Sequence, residues 1–257
     1  MRQNNVKKYF SIVAAVTIIG AIGVGSTLAY FTDNSSKTNV FTTGDLDLGL
    51  HEVEWNPEKG DGKNMYPGYT VYKNPTVKNI TSNKNGDEPC YVRMNVEILD
   101  QNDQEITNGD ALSLIYKTIY YDSSFTGTYD QTGGQATGLV QGKIPGYSLT
   151  ELARFPMVNP QWTKDTERST ASKLVFNYIG EDGDGVLDIG EESTLFTNIV
   201  IPTDWNQTQL TTVGDYKLKI TAQAIQSKGF ATQSDAFLML DEEVQGGTLQ
   251  EIVRGTE

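Results

Sequence analysis

Regular alternation of apolar and polar residues over two long stretches is the feature of this sequence that most limits its fold. Residues 90–98 (CYVRMNVEI) place an apolar side chain at every second position, and residues 216–225 (YKLKITAQAI) do the same. A period of two is typical of a β-strand that buries one face. In the second stretch, the apolar set is Tyr216, Leu218, Ile220, Ala222 and Ala224, and the polar set is Lys217, Lys219, Thr221 and Gln223.

Shorter stretches elsewhere in the chain have the same character. The chain of 257 residues contains 25 Gly but only 8 Pro, a composition that suits strands joined by turns. We therefore predict an all-β fold, an antiparallel β-sandwich with a few short helices in its connections. The further predicted strands are the alternating run with Leu46, Leu48 and Leu50, and residues 69–77, 174–179, 186–189 and 193–201, the last closed by Pro202.

The predicted sandwich extends over residues 45–240, and residues 100–172 within it are less regular, which indicates a possible insertion. Asp110 is a potential cap for a helix over 111–117. Ser148 and Glu151 have the spacing of a capping box, which predicts one helical turn after them. A hairpin is predicted within 122–143, and residues 241–257 are interpreted as a polar C-terminal tail or a weak terminal helix.

Residues 1–29 have the pattern of a cleavable secretion signal. Arg2, Lys7 and Lys8 precede an uncharged run over 11–29, and small residues at its end predict cleavage between Ala29 and Tyr30. The alternative is a retained membrane anchor, but the run is short of strongly apolar residues for a span of about 20. We predict a secreted protein of the extracellular matrix or cell surface, in contact with the membrane only through the signal before cleavage.

Charge and cysteine content exclude some classes of protein. Without the three basic residues of the signal, 17 basic residues stand against 33 acidic ones, a net charge of −16. Such a chain repels phosphates, so we expect no nucleic-acid partner. Cys90 is the single cysteine, which makes an intramolecular disulfide impossible, and its thiol is expected to be buried in the core.

Several segments resemble, in order along the chain, the TasA/camelysin family of exported proteins that are processed by the SipW type of signal peptidase. The resemblance extends over residues 25–230 but is poor in 100–172. The similar segments are GSTLAYFTD at 25–33 with F-x-x-G-x-L-x-L at 41–48, PGYTV at 67–71 with PTV-x-N at 75–79, YVR at 91–93, VL-x-x-GEES-x-LF at 186–196 with IP at 201–202, and AQAIQ-x-x-GF at 222–230.

This resemblance implies a jelly-roll sandwich and, in the biofilm branch of the family, a secreted subunit that polymerises into matrix fibres of Gram-positive bacteria. The implied mechanism is self-assembly, in which an N-terminal strand of one subunit completes the sheet of the next. The implied partners are copies of the chain itself, a SipW-type signal peptidase and an accessory matrix or anchoring protein. In this sequence the candidate assembly strand is the flexible segment 30–44, with Tyr30, Phe31, Val40 and Phe41; the alternative is a leader without structure.

An acidic stretch at 181–192 (EDGDGVLDIGEE) is the candidate metal site. Asp182, Asp184, Asp188 and Glu191 have oxygen ligands of the type that calcium prefers, although an ordinary hairpin turn explains the same residues and the EF-hand pattern fails at Val186. We expect no other cofactor.

Catalysis is not expected. The camelysin branch of the family is described as a metallopeptidase, but His51 is the single histidine and no H-E-x-x-H motif is present. No serine or cysteine nucleophile has a recognisable partner. We therefore predict a structural subunit rather than an enzyme. The alternatives are a camelysin-like surface metallopeptidase, or an adhesin that binds a ligand through residues 100–172.

Overall fold

The computed structural model describes most of the chain from residue 65 onward and short pieces before it. The described residues are 27–30, 39–41, 46, 48–52, 55, 62, 65–81, 89–123, 128–129, 136–137 and 147–245.

Strands are the main elements of this described part, and four short helices lie between or after them. In chain order the strands are β1 (Thr27–Tyr30), β2 (Asn39–Phe41), β3 (Leu48–His51), β4 (Thr70–Tyr72), β5 (Thr76–Asn79), β6 (Cys90–Leu99), β7 (Ile119–Tyr120), β8 (Thr128–Tyr129), β9 (Ala136–Thr137), β10 (Trp162–Lys164), β11 (Lys173–Tyr178), β12 (Val186–Leu187), β13 (Glu192–Thr194), β14 (Asn198–Val200) and β15 (Lys217–Gln226). The helices are α1 (Gly109–Tyr116), α2 (Leu149–Leu152), α3 (Gln207–Val213) and α4 (Gln233–Gln245).

The larger sheet has seven strands in the order β1-β15-β6-β11-β10, with β2 also paired to β15 and β12 also paired to β6. Its centre is the antiparallel pair of β6 and β15, which are ten residues long each. These are the two stretches of clean alternation in the sequence. Among the described pairings, only that of β2 with β15 is parallel.

The second layer consists of two three-stranded sheets, β13-β5-β3 and β4-β14-β7. Main-chain hydrogen bonds continue the pairing between them. Lys73 donates to the carbonyl of Thr197, and Leu195 donates to that of Pro75, both at 2.9 Å. The predicted strand over 69–77 is therefore interrupted at 73–75, but it continues as part of the same layer.

The core lies between the two layers. Val92 and Met94 of the large sheet belong to one apolar cluster with Leu48, Val77 and Ile199 of the second layer, and all five are at most 4% exposed. Two layers of β-sheet that face each other over one core form a β-sandwich. The prediction of an antiparallel all-β fold is confirmed.

The helices begin at side-chain caps. At α1 the cap is Asn108, whose side chain accepts from the main-chain N–H groups of Asp110 and Ala111, so the prediction of Asp110 as cap is wrong by two residues. Asn108 is the better placed side chain because it precedes the first helical residue. The predicted capping box of Ser148 and Glu151 at α2 is confirmed.

Residues 100–172 are integrated into the sandwich rather than standing apart from it. They contribute β7 to the second layer and β10 to the large sheet. Within the predicted hairpin, β8 and β9 pair in the antiparallel direction. At the other end of the domain, α4 continues through Gln245, so the first residues of the predicted polar tail are helical.

Within the described residues, none of the helices has the length and apolar character needed to cross a membrane.

Candidate functional site

The outer edge of β15 is the part of the large sheet to which both N-terminal strands pair. On its inner side, β15 pairs with β6 along all ten residues. On its outer side, β1 pairs with residues 217–220 in the antiparallel direction and β2 pairs with residues 221–223 in the parallel direction. The N-terminal strands therefore cover seven consecutive positions of this edge, in two pieces that run in opposite directions. We call residues 217–223 the acceptor edge.

Four predicted N-terminal site residues lie on this edge. Ala29 and Tyr30, between which signal cleavage is predicted, are the last two residues of β1. Val40 and Phe41 of the candidate assembly strand are in β2. Phe31 lies outside the described residues. The structure thus brings the predicted cleavage position and the predicted assembly strand to the same strand edge.

On the face of β15 that points into the core, residues of the acceptor edge are fixed by packing. Leu218, Ile220 and Ala222 are fully buried in the cluster between the two layers. Burial of an aliphatic side chain stabilises a fold by about 1.5–3 kcal/mol. The position of β15 is therefore fixed mainly by core packing, and not by the N-terminal strands that pair with its outer edge.

The opposite side of the acceptor edge is fixed by buried polar side chains. Gln223 accepts a hydrogen bond from Nε of Arg93 at 2.6 Å. Asn95 donates to the hydroxyl of Thr221 at 3.1 Å. Buried polar groups that are satisfied in this way allow few alternative arrangements, so they hold β15 in register with β6.

Asp241 of α4 connects this polar cluster to the C-terminal helix. Its two carboxylate oxygens accept hydrogen bonds from Arg93 at 2.6 Å and from Arg168 at 2.7 Å. The Arg93 guanidinium also lies 5.3 Å from the centre of the Phe237 ring. Burial alone raises the pKa of Asp241, but the hydrogen bonds and charges of the two arginines outweigh burial and lower this pKa. The ionised Asp241 carboxylate therefore holds α4 over the outer face of β6 and β15.

The strand β2 also lies beside the second layer. Some of its Cα atoms are within 8 Å of Cα atoms in β3, whose hydrogen-bonded partner in the described sheet is β5. At this side of the sandwich, β2 is therefore placed between β15 of the large sheet and β3 of the second layer.

The acidic residues predicted as calcium ligands form hydrogen bonds within their own turn. Asp182 and Asp184 each accept from the main-chain N–H two residues further along, at 3.3 and 2.8 Å. Glu191 accepts from the main-chain N–H of Asp188 at 2.9 Å and from the Tyr178 hydroxyl at 2.6 Å. Burial and the charge of Glu191 raise the pKa of that hydroxyl.

Across the part of the chain that the structure describes, no three His, Cys, Asp or Glu side chains are grouped as a metal site requires. The calcium site at 181–192 therefore stays a prediction, and the local hydrogen bonds are those of an ordinary turn.

A glycine of the same turn makes room for α4. Gly185 has a φ of 74°, and a Cβ at this position would lie 2.6 Å from the side-chain nitrogen of Gln233. That nitrogen donates to the carbonyl of Tyr178 at 2.7 Å and to that of Gly185 at 3.2 Å. The turn thus forms the docking point for the first residue of the helix.

His51 and Cys90, the two residues on which catalysis would depend, lie in different sheets. His51 is a half-buried residue of β3, opposite Thr76. Cys90 is fully buried, as predicted, and its thiol lies 3.7 Å from the carbonyl oxygen of Leu187. Burial, and then the charges of nearby carboxylates, raise the pKa of the Cys90 thiol, which keeps it protonated and unreactive.

A buried ion pair connects the residue that follows β3 with the residue that follows β4. Lys73 and Glu52 are 2.6 Å apart, and their side chains are 0% and 2% exposed. The Lys73 ammonium also lies 4.5 Å from the centre of the Trp55 ring. Burial raises the pKa of Glu52, while the lysine charge acts in the opposite direction. Because both charges are compensated inside the fold, we assign the pair a structural role.

Sequence reasoning missed the polar cluster of Arg93, Gln223 and Asp241. Arg93 and Gln223 occupy outward positions of predicted strands, where a polar residue is expected to face solvent. The sequence contained one indication of a cover, since apolar residues of α4 recur at helical spacing at Ala236, Phe237 and Leu240, all of which are buried.

Comparison with known proteins gives one match. A family model described as camelysin metallo-endopeptidase matches residues 5–110, a range that includes β1 to β6 and ends in the first turn of α1. This match confirms the family resemblance of the N-terminal part. No curated protein and no solved structure matches the chain.

Proposed function

We propose that this chain, whose residues 5–110 match the camelysin family model, is a secreted structural subunit that assembles with copies of itself into a matrix or surface fibre. We propose further that the sandwich has jelly-roll connectivity. A SipW-type signal peptidase is the proposed processing enzyme, and an accessory matrix or anchoring protein is a further proposed partner.

The single observation that best supports the proposal is the pairing of both N-terminal strands with the acceptor edge. A sheet edge offers a row of main-chain N–H and C=O groups to any extended segment that reaches it. In this chain the segment on the edge comes from the terminus, next to the predicted cleavage position. The same segment of a neighbouring subunit has the chemistry to pair there. Such pairing is strand complementation, the mechanism that we propose for assembly.

The proposed role does not include peptidase activity, although the matched family is described by that activity. His51 is the one histidine of the chain, and it lies in a strand opposite Thr76. An ordinary catalytic zinc site has three protein ligands, usually with histidine among them, and a position open to water. We expect no casein cleavage by the purified chain with added zinc, and no difference between the wild type and His51→Ala. Cleavage that a chelator abolishes, that zinc restores and that His51→Ala lacks would favour the metallopeptidase alternative.

Assembly is tested by deleting residues 30–44 from the processed protein and comparing it with the wild type by sedimentation and negative-stain electron microscopy. A matched control replaces residues 30–44 by a Gly/Ser linker of the same length. We expect fibres from the wild type alone. The two variants should be monomeric and folded, with the fluorescence of the buried Trp162 and Trp205 unchanged.

Fibres of the deletion variant that equal those of the wild type would contradict strand complementation by this segment. A wild type that stays monomeric at all tested pH values and calcium concentrations would contradict the subunit role. In that case an adhesin, with residues 100–172 as its binding region, becomes the better hypothesis.

A further inference from the structure

We propose that Glu52 and Lys73 condense within the folded domain to a side-chain amide, an intramolecular isopeptide bond. The bond joins the residue that follows β3 to the residue that follows β4. It therefore connects the two three-stranded sheets of the second layer. The proposal goes beyond the proposed function, because it concerns the covalent structure of the single chain and does not depend on whether that chain assembles.

The first argument is the fixed contact between the two groups. Nζ of Lys73 lies 2.6 Å from Oε1 of Glu52, so the amine touches the carboxyl group whose carbon it attacks. The main chain holds both residues in place. Lys73 donates to the carbonyl of Thr197 at 2.9 Å, and Glu52 directly follows His51, which is paired with Thr76. Reacting groups that a fold holds in the right geometry reach effective concentrations of about 10⁵–10⁸ M.

The second argument is the burial of both reacting groups. The side chains of Lys73 and Glu52 are 0% and 2% exposed, and the ring of Trp55 lies 4.5 Å from Nζ. Burial penalises the two charges, and it raises the pKa of Glu52 although the lysine charge acts in the opposite direction. Transfer of one proton from the ammonium to the carboxylate gives a neutral amine and a neutral acid. These are the two forms that condense.

The third argument is a buried oxygen that lacks a donor. Among the described residues, no group donates a hydrogen bond to Oε2 of Glu52, which is buried. A buried acceptor without a donor is unfavourable, and in a native fold it calls for an explanation. Condensation takes one carboxyl oxygen out of the fold and replaces two buried charges by one neutral amide. The isopeptide bond thus accounts for both features of the site.

The step balances without an added reactant. The lone pair of Nζ attacks Cδ of Glu52, a C–N bond forms, and the bond from Cδ to one carboxyl oxygen breaks. That oxygen leaves as water, with the proton of the carboxylic acid and one proton of the amine. In water, ionisation of the acid and the amine favours the reverse reaction, but burial opposes this ionisation. The bond is therefore stable once it has formed.

Such a bond takes the role that disulfides have in many exported domains. Cys90 is the single cysteine, so this chain cannot form a disulfide within itself. A covalent link between positions 52 and 73 closes a loop and restricts the unfolded chain, as a disulfide does. It also lies where the predicted strand over 69–77 is interrupted. We therefore expect the link to strengthen the second layer at its break.

The isopeptide bond is tested by the mass of the processed wild-type protein under denaturing conditions, at intervals after purification. We expect this mass to fall below that of the sequence by one water molecule. An ion pair leaves the mass unchanged, however strong it is. The matched control is Glu52→Met/Lys73→Met, which removes both reacting groups and both charges together and is therefore expected to fold. Its mass should equal that of its sequence.

Peptide mapping locates the bond. In a linear chain, trypsin places Glu52 in the peptide 38–59 and Lys73 at the end of the peptide 64–73. Trypsin does not cut after a lysine whose amine has become an amide. The bond should therefore yield one branched species, in which 38–59 is joined to 64–78.

An exposed ion pair of the same chain provides an internal control. Lys78 and Glu192 are 3.3 Å apart, but their side chains are 41% and 55% exposed, so their peptides should remain linear. A wild type that keeps the full mass of its sequence at every interval, with separate peptides 38–59 and 64–73, would overturn the isopeptide bond. Equal linking at the exposed pair would overturn burial as its cause. Neither result bears on fibre formation, so the proposed function is judged separately.

Discussion

The two end strands of the large sheet are held in the fold in different ways. At one end, β10 is held by a side chain of the domain: the Trp162 indole donates to Ser193 at 2.9 Å, and its ring lies 5.3 Å from that of Tyr178. At the other end, the acceptor edge is covered by strands from the chain terminus. The Trp162 contacts that hold β10 contribute to the stability of the domain. The closure of the acceptor edge depends on strands from the N-terminal part of the chain, and in the proposed mechanism this difference permits exchange between subunits.

The largest expected effect is at the β10 end. Trp162→Ala should lower the free energy of unfolding by about 3–5 kcal/mol, because it empties a site in the core and leaves Ser193 without this donor. Trp162→Phe, which keeps most of the volume, should cost less. The measurement is equilibrium denaturation with urea, in which deletion of residues 30–44 should have a much smaller effect. A loss for Trp162→Ala as small as that of the deletion would remove the difference between the two ends.

The next effect concerns the helix that supports the acceptor edge. Asp241→Asn should cost about 1–3 kcal/mol, because it leaves the buried Arg93 without its charged partner; we place it below the full cost of a broken buried pair since Asp241 is partly exposed. Asp241→Ala should cost somewhat more. Calorimetry at neutral pH measures both.

The same carboxylate gives a dependence on pH. Because the folded state lowers the pKa of Asp241, its contribution is present above the unfolded pKa of about 3.9 and is lost as the pH falls through the lower folded value. The wild type should therefore lose stability below about pH 4 more steeply than Asp241→Asn. Parallel pH profiles of the two proteins would show that the carboxylate has no such role.

A smaller effect is expected at the turn that receives α4. Gly185→Ala should destabilise the fold by about 1–2 kcal/mol, because an L-residue is strained at a positive φ and the new Cβ meets Gln233. Gly183→Ala has the same backbone strain without the contact, since a Cβ there meets nothing within 4 Å. The difference between the two variants, measured by thermal unfolding, isolates the contact with the helix. Equal losses would mean that the close approach costs nothing.

The smallest effect on stability is expected on the β10 edge itself. Lys164→Val should change the free energy of unfolding by no more than about 0.5 kcal/mol, because the side chain is exposed. It should nevertheless increase non-specific association, since an edge lysine discourages pairing with other chains. Light scattering of Lys164→Val against Lys164→Arg measures this. If the valine variant remains as dispersed as the arginine variant, the β10 edge is protected by other features.

The sequence predicted the two central strands well and their partners poorly. β6 and β15 were predictable because each buries one face, and burial of one face produces alternation in the chain itself. Pairing is a different matter, since 130 positions separate Arg93 from Gln223 and 148 separate it from Asp241. No local pattern records such distances. The buried Lys73 was hidden for the same reason, because its partner Glu52 follows a different strand.

The candidate site was predictable as a segment but not as a place in the fold. Val40 and Phe41 attract attention as apolar residues in a polar stretch, and the cleavage position follows from the small residues before Tyr30. That both lie along one edge, on adjacent halves of β15, depends on how the sandwich closes.

The pairing of a terminal segment with a distant edge of the same domain has a consequence for the symmetry of any assembly built by exchanging it. Each subunit offers one edge and one segment, which are different surfaces, so contacts between copies are heterologous and the array has a direction. One end of such a fibre presents an unfilled edge and the other an unused segment. The two ends therefore differ in chemistry, in growth rate and in what can terminate them. A chain that retains the edge but lacks the segment would stop growth at one end only.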